Sequence, residues 1–344
     1  MDAEAFRKYG KEMVDFIADY WEGLPERKPM PDVKPGFMEG MNSPQSWSEI
    51  FRDVDPIVLS GNTNWHHPCF FAYYPAACTY PAIMGDMLSG AISSIGFTWK
   101  SSPSMTELEM KMTDWLATAI GLPDFFKNSN PGPGAGMIQS TASDSTFIAI
   151  LSARARAVSN LKSERDQPKK ISETVSNFQI KNDSDLTTFE NHDGKYFERL
   201  VGYCSDQAHC SVAKGFMLAG VKMRKIPSTT KNSSQNYCLD VEDLKQAIKE
   251  DRKNGMIPFI LIATVGTTRS YLLCPEFRPM IEGIEFVDSF SFNPHKGMMI
   301  NFDCSPVWFK NATESIRYFN VDAEYLKHEH QTTAMDYRVF KTFQ

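Results

Sequence analysis

Apolar and polar positions divide the chain into a helical N-terminal part and a longer part in which helices and strands alternate. Six apolar residues from Phe6 to Tyr20 recur at intervals of three or four, which predicts a helix with one apolar stripe. Four prolines within 25–36 end that helix, and a short polar helix is predicted over 46–59. Because so thin a unit cannot bury its stripes alone, residues 1–80 are predicted to be a helical dimerisation segment.

The pattern from residue 81 onward indicates one α/β domain, 81–344. Residues 158–196 are polar and lack apolar periodicity, which favours a surface insertion. Alternating helices and strands are typical of a largely parallel sheet, which binds ligands at the carboxyl ends of its strands. The predicted strands are 137–139, 200–204, 221–226 and 257–265, and the predicted helices begin near 104, 145, 211 and 240.

Composition and charge exclude several classes of protein. The 344 residues are 42% hydrophobic and 12% aromatic, which excludes a disordered chain, a collagen-like fibre and a small disulfide scaffold. A net charge of −6 argues against a nucleic-acid partner. The longest apolar run, 256–265, is about half the length of a membrane helix, and the N-terminus has no apolar signal segment. We therefore expect a cytoplasmic protein with no membrane partner.

Cysteines and histidines give no indication of a metal site. The seven cysteines form no CxxC pair, so reduced thiols are favoured over disulfides or zinc ligands. His66 and His67 are adjacent, and adjacent side chains diverge on a regular element. No metal is expected.

Three predicted strand ends carry side chains that can take part in binding or catalysis. Ser140-Thr-Ala-Ser143 lies between a strand and a helix, where N–H groups and hydroxyls can hold a phosphate, although serine-rich helix caps are common. His209 follows the next strand, and such a histidine is more often part of a core. Lys296 has apolar neighbours on both sides. Unless it snorkels outward, burial would favour its neutral amine, which is a nucleophile for a carbonyl.

These motifs together resemble the group II pyridoxal-phosphate amino-acid decarboxylases, among them the aromatic-amino-acid and histidine decarboxylases. The resemblance runs nearly end to end, through HPCFFAYYPA, SSPSMTELEMKMTDWL, SDQAHCSV, ATVGTT, DSFSFNPHK, NFDCSPVW and DAEYLKH. It implies an α/β large domain of the PLP-dependent transferase-like fold (fold type I). It also implies a pyridoxal 5'-phosphate cofactor, a small-molecule amino-acid substrate and a homodimer.

The resemblance assigns three catalytic residues. Lys296 would form the internal aldimine with the cofactor aldehyde. His209 would stack on the pyridine ring and contribute to protonating the substrate carbon. Tyr325 matches a mobile-loop tyrosine that is associated with protonation after loss of carbon dioxide.

The resemblance also assigns binding residues. Thr268 would lie near the cofactor ring and its substituents. The predicted phosphate cradle consists of Ala142, Ser143, Asn293 and His295. The predicted substrate loop consists of Tyr73, Tyr74, Pro75 and Ala76.

The chain departs from the family at two places. After Thr268 it passes through 269–273 directly into Cys274, where the family keeps about thirty more residues, an αβ unit with the aspartate that pairs with the ring nitrogen. After Arg338 the sequence diverges from the family's, and we expect the small C-terminal domain to be absent. Without the aspartate, decarboxylation should slow severely. The neighbours of the lost strand should either re-pair or keep buried edges.

The sequence therefore predicts a PLP-dependent carboxy-lyase that acts on dopa, 5-hydroxytryptophan or tyrosine through Lys296, with impaired activity. Histidine is the alternative substrate. The alternative class is a catalytically inactive relative that acts as a dimerisation or regulatory partner.

Overall fold

A computed structural model describes residues 2–29, 32, 46–73, 78–96, 98–166, 194–230, 237–265 and 272–319. The helices in these ranges are α1 (Ala3–Glu22), α2 (Trp47–Asp53), α3 (Tyr80–Ile92), α4 (Pro103–Ala119), α5 (Ala142–Asp166), α6 (Gly194–Phe197), α7 (Cys210–Leu218), α8 (Val241–Lys253) and α9 (Ala312–Phe319). The strands are β1 (Ala135–Gln139), β2 (Leu200–Ser205), β3 (Lys222–Ile226), β4 (Ser228–Thr229), β5 (Cys238–Leu239), β6 (Ile257–Ile262), β7 (Ser289–Ser291) and β8 (Ser305–Phe309).

The predicted N-terminal helix is confirmed, and α1 packs its stripe on α2. The ring centroid of Phe16 lies 5.2 Å from that of Phe51, and Tyr9 lies 5.4 Å from Trp47. Such aromatic pairs contribute about 0.5–1.5 kcal/mol each beyond the area that they bury. No residue of α1 is fully buried. The described residues therefore cover the stripe only in part.

Six of the described strands form two separate three-stranded sheets, and β4 and β5 form a two-stranded one, whereas the sequence predicts one largely parallel sheet. In the parallel sheet, β2 lies between β3 and β6. In the antiparallel sheet, β8 lies between β1 and β7. Within the described ranges β6 and β7 do not pair with each other. In the part of the chain that the structure describes, β6 and β7 have therefore not re-paired with each other.

Helix α5 holds the two sheets side by side, since it contacts β1, β7 and β8 of one sheet and β6 of the other. The Arg156 guanidinium on α5 donates two hydrogen bonds, of 3.0 and 2.9 Å, to the carboxylate of Asp288 just before β7. The helix runs to Asp166, so 158–166 belong to α5 and the predicted surface insertion is wrong for them. Residues 167–193 lie outside the described residues.

The antiparallel sheet packs around Trp308, which is fully buried. Its ring stacks on that of Phe292, with centroids 6.0 Å apart and an interplanar angle of 7°. On the neighbouring strand, a Cβ added to Gly136 would lie only 2.4 Å from Trp308 Nε1. Glycine at 136 is thus required by the indole ring.

The parallel sheet packs in the same way around Phe216 of α7, which is 1% exposed. A Cβ added to Gly202 on β2 would lie 2.3 Å from the Phe216 ring and 2.7 Å from Ile260. Each sheet therefore has its own close contact between a strand glycine and a buried aromatic ring.

Two helices carry apolar side chains that the described residues leave uncovered. On α4, Leu108 is 53% exposed and Trp115 is 66% exposed. On α3, where no residue is buried, Met84 is 68% exposed and Leu88 is 62% exposed. In the described part of the chain, none of the helices combines the length and apolarity needed to span a membrane.

Candidate cofactor site

The predicted phosphate cradle begins at the N-terminus of α5. The Thr141 hydroxyl accepts a hydrogen bond from the Asp144 N–H at 3.1 Å and donates one to its carboxylate at 2.8 Å. This cap positions the first turn, which contains Ala142 and Ser143. Backbone N–H groups in the first turn of a helix lack intrahelical acceptors and lie at the positive end of the helix dipole. The arrangement is suited to an anion.

Ser305, the first residue of β8, joins α5 to the turn that carries the lysine. Its carbonyl accepts a hydrogen bond from the Ser145 hydroxyl at 3.2 Å. Its own hydroxyl donates to Asn293 Oδ1 at 3.0 Å. The structure thus brings Asn293 to the start of α5, although about 150 residues separate them in sequence.

Gln139 adds a buried side-chain amide beside Ser305. It ends β1 opposite Ser305 and is 5% exposed, and among the described residues its side-chain Nε2 has no hydrogen-bond partner. A buried donor without an acceptor costs about 1–3 kcal/mol. An anion held at the start of α5 would supply an acceptor, so the residues present fit the phosphate of the cofactor.

His295 is held in one orientation by the segment before β8. The ring is 2% exposed, and its Nδ1 lies 2.9 Å from the Cys304 carbonyl oxygen and 3.1 Å from the Cys304 nitrogen. The Asp303 carboxylate lies 3.7 Å from the same nitrogen. Burial raises the pKa of the Asp303 carboxyl and raises that of the Cys304 thiol to about 11, so Cys304 stays a neutral thiol at pH 7.

Lys296 lies in a helical turn directly after β7. The turn is closed by hydrogen bonds from the Lys296 N–H to the Asn293 carbonyl, 3.1 Å, and from the Met298 N–H to the Pro294 carbonyl, 2.7 Å. The lysine is half-buried. Met298 packs against the core of the antiparallel sheet, whereas Met299 is 64% exposed. The predicted apolar surroundings are therefore present on one side only.

His209 lies on the other sheet, at the carboxyl end of β2, where it caps α7. Its Nδ1 accepts a hydrogen bond from the Ser211 N–H at 3.2 Å and lies 2.9 Å from the Ser211 hydroxyl. Nε2 therefore carries the proton of the neutral ring. The side chain is exposed, and its hydrogen bonds stay within its own helix.

The substrate loop is described only at Tyr73. This residue has a φ of 58°, is 80% exposed, and stacks on Trp65 with centroids 5.6 Å apart. The other predicted positions lie outside the described residues and stay predictions: Tyr74, Pro75, Ala76, Thr268 and Tyr325.

No acidic residue occurs in 257–265, which contain β6 and its carboxyl end. Asp288 precedes β7 and therefore lies at the end of that strand opposite to Lys296. Hydrogen bonding from Arg156 lowers the pKa of this carboxyl. Asp288 is thus an ionised partner of Arg156.

Sequence reasoning missed three residues around the cradle: Gln139, Cys304 and Ser305. Gln139 directly precedes the predicted Ser140-to-Ser143 motif, which was the available signal. Cys304 and Ser305 lie in NFDCSPVW, a motif used only for the resemblance.

Known proteins allow this geometry to be assigned to a family. The profile of the Pyridoxal-dependent decarboxylase conserved domain matches residues 38–182, 180–271 and 269–342, which is most of the chain. The chain belongs to the pyridoxal-dependent decarboxylase family. It is a PLP-dependent carboxy-lyase by family, as the sequence predicts.

Curated relatives agree with this assignment. Aromatic-L-amino-acid decarboxylase of Rattus norvegicus is 38% identical, over 98% of this chain and 72% of the relative. The enzyme of the same name from Drosophila melanogaster is 40% identical, over 98% of this chain and 68% of the relative. The alignment with the rat protein has 375 positions, so at least 31 (375 − 344) fall opposite gaps in this chain.

Solved structures confirm the predicted fold type I. Oryza sativa TDC, solved with PLP and tryptamine, has a TM-score of 0.83 at 27% identity and covers 98% of this chain and 71% of its own. Catharanthus roseus tryptophan decarboxylase, solved in complex with L-tryptophan, has a TM-score of 0.81 at 31% identity, covering 99% of this chain and 72% of its own.

Proposed function

We propose that this chain binds pyridoxal phosphate at Lys296 and decarboxylates aromatic L-amino acids such as dopa, 5-hydroxytryptophan and tyrosine, at a reduced rate. The substrate class is supported by relatives named aromatic-L-amino-acid decarboxylase at 38–40% identity. Histidine is the competing substrate. The reduced rate is supported by the absence of an acidic residue from 257–265, which contain β6 and its carboxyl end.

The hydrogen-bonded phosphate cradle carries the proposal. The start of α5, Asn293 and His295 would bind the phosphate, and the unpartnered amide of Gln139 would gain an acceptor. Lys296, in the adjoining turn, would bind the aldehyde carbon through its amine. When bound, pyridoxal phosphate supplies a sink for the electron pair left as carbon dioxide departs.

The remaining residues orient the substrate and move protons. His209 would cover the ring face and, through Nε2, transfer a proton to the substrate carbon. Tyr325 would assist this protonation after carbon dioxide has left. Thr268 would contact the ring substituents, and Tyr73, with the rest of the substrate loop, would exclude water from the amino-acid side chain.

A missing αβ unit near 269–273 accounts for the reduced rate. Support comes from the two sheets, which stay separate at β6 and β7 within the described ranges. The positive charge of a protonated ring nitrogen would lack its carboxylate. Electrostatic stabilisation of this kind is commonly the largest single contribution to catalysis.

Absorbance titration with pyridoxal phosphate tests the lysine. Wild type and the control Lys249→Ala, a change at an exposed lysine on α8, should develop the band of a lysine-bound cofactor, whereas Lys296→Ala should not. Reduction with borohydride should then label the peptide that contains Lys296. A band that persists in Lys296→Ala, or a label on another lysine, would contradict the proposal.

Carbon dioxide release from dopa, 5-hydroxytryptophan, tyrosine and histidine tests the substrate and the rate. We expect weak release from the aromatic amino acids and less from histidine. Turnover as fast as that of the rat relative, measured in parallel, would refute the reduced rate. Preference for histidine would refute the substrate class.

The exposed apolar faces of α3 and α4 favour a homodimer. Patches of this kind on a soluble protein mark contact surfaces. Sedimentation should give a dimer, and Trp115→Asp should shift it towards monomer, whereas Lys249→Asp should not. If the chain dimerises but does not bind the cofactor, the alternative class, a non-catalytic partner, replaces the enzyme.

All seven cysteines are free thiols, which supports the proposed cytoplasmic location.

A further inference from the structure

The chain that follows Lys296 is fastened to α3 by the side chain of Asn301. Its Nδ2 donates a hydrogen bond to the Asp86 carboxylate on α3. Its Oδ1 accepts one, of 2.9 Å, from the thiol of Cys78, which lies two residues before that helix. Burial raises the pKa of this thiol, so at pH 7 it keeps the proton that it donates. Both halves of the Asn301 amide are therefore bonded at α3.

A third hydrogen bond joins the same segment to the start of α3. The Thr79 hydroxyl donates to the Met299 carbonyl at 3.0 Å. Thr79 and Asp86 are seven residues apart, which is close to two helical turns, so they lie on the same side of α3. We call the three hydrogen bonds that Met299 and Asn301 make with residues 78, 79 and 86 the α3 clamp.

Met299 has a backbone conformation that needs such a constraint. Its φ is 56°, in the left-handed region that residues other than glycine rarely adopt. A conformation of this kind persists where the surrounding contacts determine it. The Met299 side chain is 64% exposed and adds little to these contacts. The α3 clamp therefore holds the left-handed residue in place.

The conformation of Met299 fixes how the Lys296 turn ends. The turn is closed by the hydrogen bond from the Met298 N–H to the Pro294 carbonyl, and Met299 is the next residue. Within the turn, His295 is bonded to the segment before β8. A turn that is held at both places keeps its side chains in one direction.

We propose that Asn301 is a positioning residue for Lys296: by fastening the chain to α3, it fixes the direction in which the lysine amine meets the cofactor aldehyde. This rests on the proposed function, which assigns the aldehyde to Lys296. In that step the amine nitrogen bonds to the aldehyde carbon, and the aldehyde oxygen leaves as water with the two amine protons. Orientation matters here, because a displacement of about 1 Å near a reacting group can cost about 100-fold in rate.

Amide hydrogen exchange of the cofactor-free protein tests the α3 clamp independently of the proposed function. In Asn301→Ala, the Met298 amide should exchange at least about tenfold faster than in wild type. The Ile138 amide on β1, which donates to Glu109 at 2.8 Å, should be unchanged and reports that the sheet is intact. Asn62→Ala, a change at an exposed asparagine, is the matched control and should leave both amides within about twofold. An unchanged Met298 amide in Asn301→Ala overturns the proposal.

Exchanging the two bonded side chains separates hydrogen bonding from packing. Asn301→Asp places a second carboxylate beside Asp86 and should accelerate the Met298 amide as Asn301→Ala does. Adding Asp86→Asn restores an amide next to a carboxylate and should return the exchange to within about threefold of wild type. If the double variant exchanges as fast as Asn301→Asp alone, the hydrogen bond to α3 does not hold the turn, and the proposal is wrong.

Thr79→Val keeps the clamp testable if Asn301→Ala does not fold. Among the described residues the Thr79 side chain makes no capping hydrogen bond to α3, so valine removes the hydroxyl bonded to Met299 and leaves the helix end unchanged. The Met298 amide should again exchange faster, by at least about threefold. No acceleration would count against the clamp and overturn the proposal.

Binding and reaction of two cofactor forms test the link to Lys296. Pyridoxine 5'-phosphate has an alcohol in place of the aldehyde, and Asn301→Ala should bind it within about twofold of wild type, because Asn301 is not a cradle residue. With pyridoxal phosphate, the band of the lysine-bound cofactor should form at least about tenfold more slowly in this variant, and the double variant should recover the rate. An unchanged rate, or an equal loss with both compounds, overturns the proposal. A band that persists in Lys296→Ala refutes the proposed function and is recognised separately, because the clamp is judged on cofactor-free protein.

Discussion

The two ends of the proposed cofactor site differ in how firmly the protein holds them. At the proposed phosphate end, Asn293 and His295 are tied to α5 and β8 by hydrogen bonds through Ser305 and Cys304. At the proposed ring end, His209 is exposed, and among the described residues its hydrogen bonds stay within its own helix. The antiparallel sheet carries the first set of residues, and the parallel sheet carries the second. Anchoring and catalysis would therefore be separable in this chain.

The largest expected effect is on the stability of the antiparallel sheet, which carries the proposed phosphate end. Trp308→Ala removes a fully buried indole and should lower the free energy of unfolding by about 3–5 kcal/mol. Cofactor binding should weaken with it. Trp308→Phe keeps a ring against Phe292 and should cost less. Urea unfolding of the three proteins checks the order, and a loss below about 1 kcal/mol for Trp308→Ala would contradict the central role of this residue.

Cofactor affinity should discriminate directly between the two ends. Asn293→Ala removes a hydrogen-bonding group at a charged ligand, worth about 1.5–3 kcal/mol, and should weaken pyridoxal phosphate binding about 10- to 100-fold. His209→Ala should change the affinity less than about threefold, because the phosphate end stays intact. Absorbance titrations give both values. Similar losses in the two variants would refute the distinction.

The paired glycines compare the two sheets with the same chemical change. Gly136→Ala forces a Cβ against Trp308, and Gly202→Ala forces one against Phe216. Each overpacked contact should cost about 1–3 kcal/mol in thermal or urea unfolding. Only Gly136→Ala should also weaken cofactor binding, since β1 leads into the cradle. If Gly202→Ala weakens binding equally, the two sheets are more tightly coupled than we infer.

The smallest effect concerns the ion pair between α5 and the start of β7. Arg156 lowers the pKa of Asp288, so the pair stabilises the fold above the unfolded carboxyl pKa of about 3.9, and this contribution is lost as pH falls through the lower folded value. Both side chains are partly exposed, so the contribution should be below about 1 kcal/mol. Asp288→Asn should lose it at pH 7 and show less acid destabilisation than wild type. Urea unfolding at pH 7 and pH 3 measures this.

Sequence periodicity predicts the individual helices and strands well. It predicts less well how the strands pair into sheets. The stripe on α1 and the apolar run that became β6 follow from local spacing, which a chain segment carries by itself. The described strands do not form the single sheet expected from alternating helices and strands, because strand pairing depends on which strand lies between two others. That neighbour is a tertiary property, and here none of the described strands lies between β6 and β7.

The candidate site was predicted as residue types at strand ends, and the structure adds their connections. Ser140 to Ser143 and Asn293 were visible as motifs. Their link through Ser305 was not, because it joins α5 to a strand that begins 160 residues beyond Ser145. The apolar neighbours of Lys296 illustrate the opposite error. Adjacent apolar residues in sequence do not enclose a side chain when one of them, Met299, faces solvent.

The open edge of β6 has a consequence for the protein in the test tube. An uncovered strand edge is a template for the same edge of another molecule. A preparation in which this edge stays uncovered should therefore turn cloudy as it is concentrated, and the growing particles should be rich in intermolecular β-structure and stain with amyloid dyes.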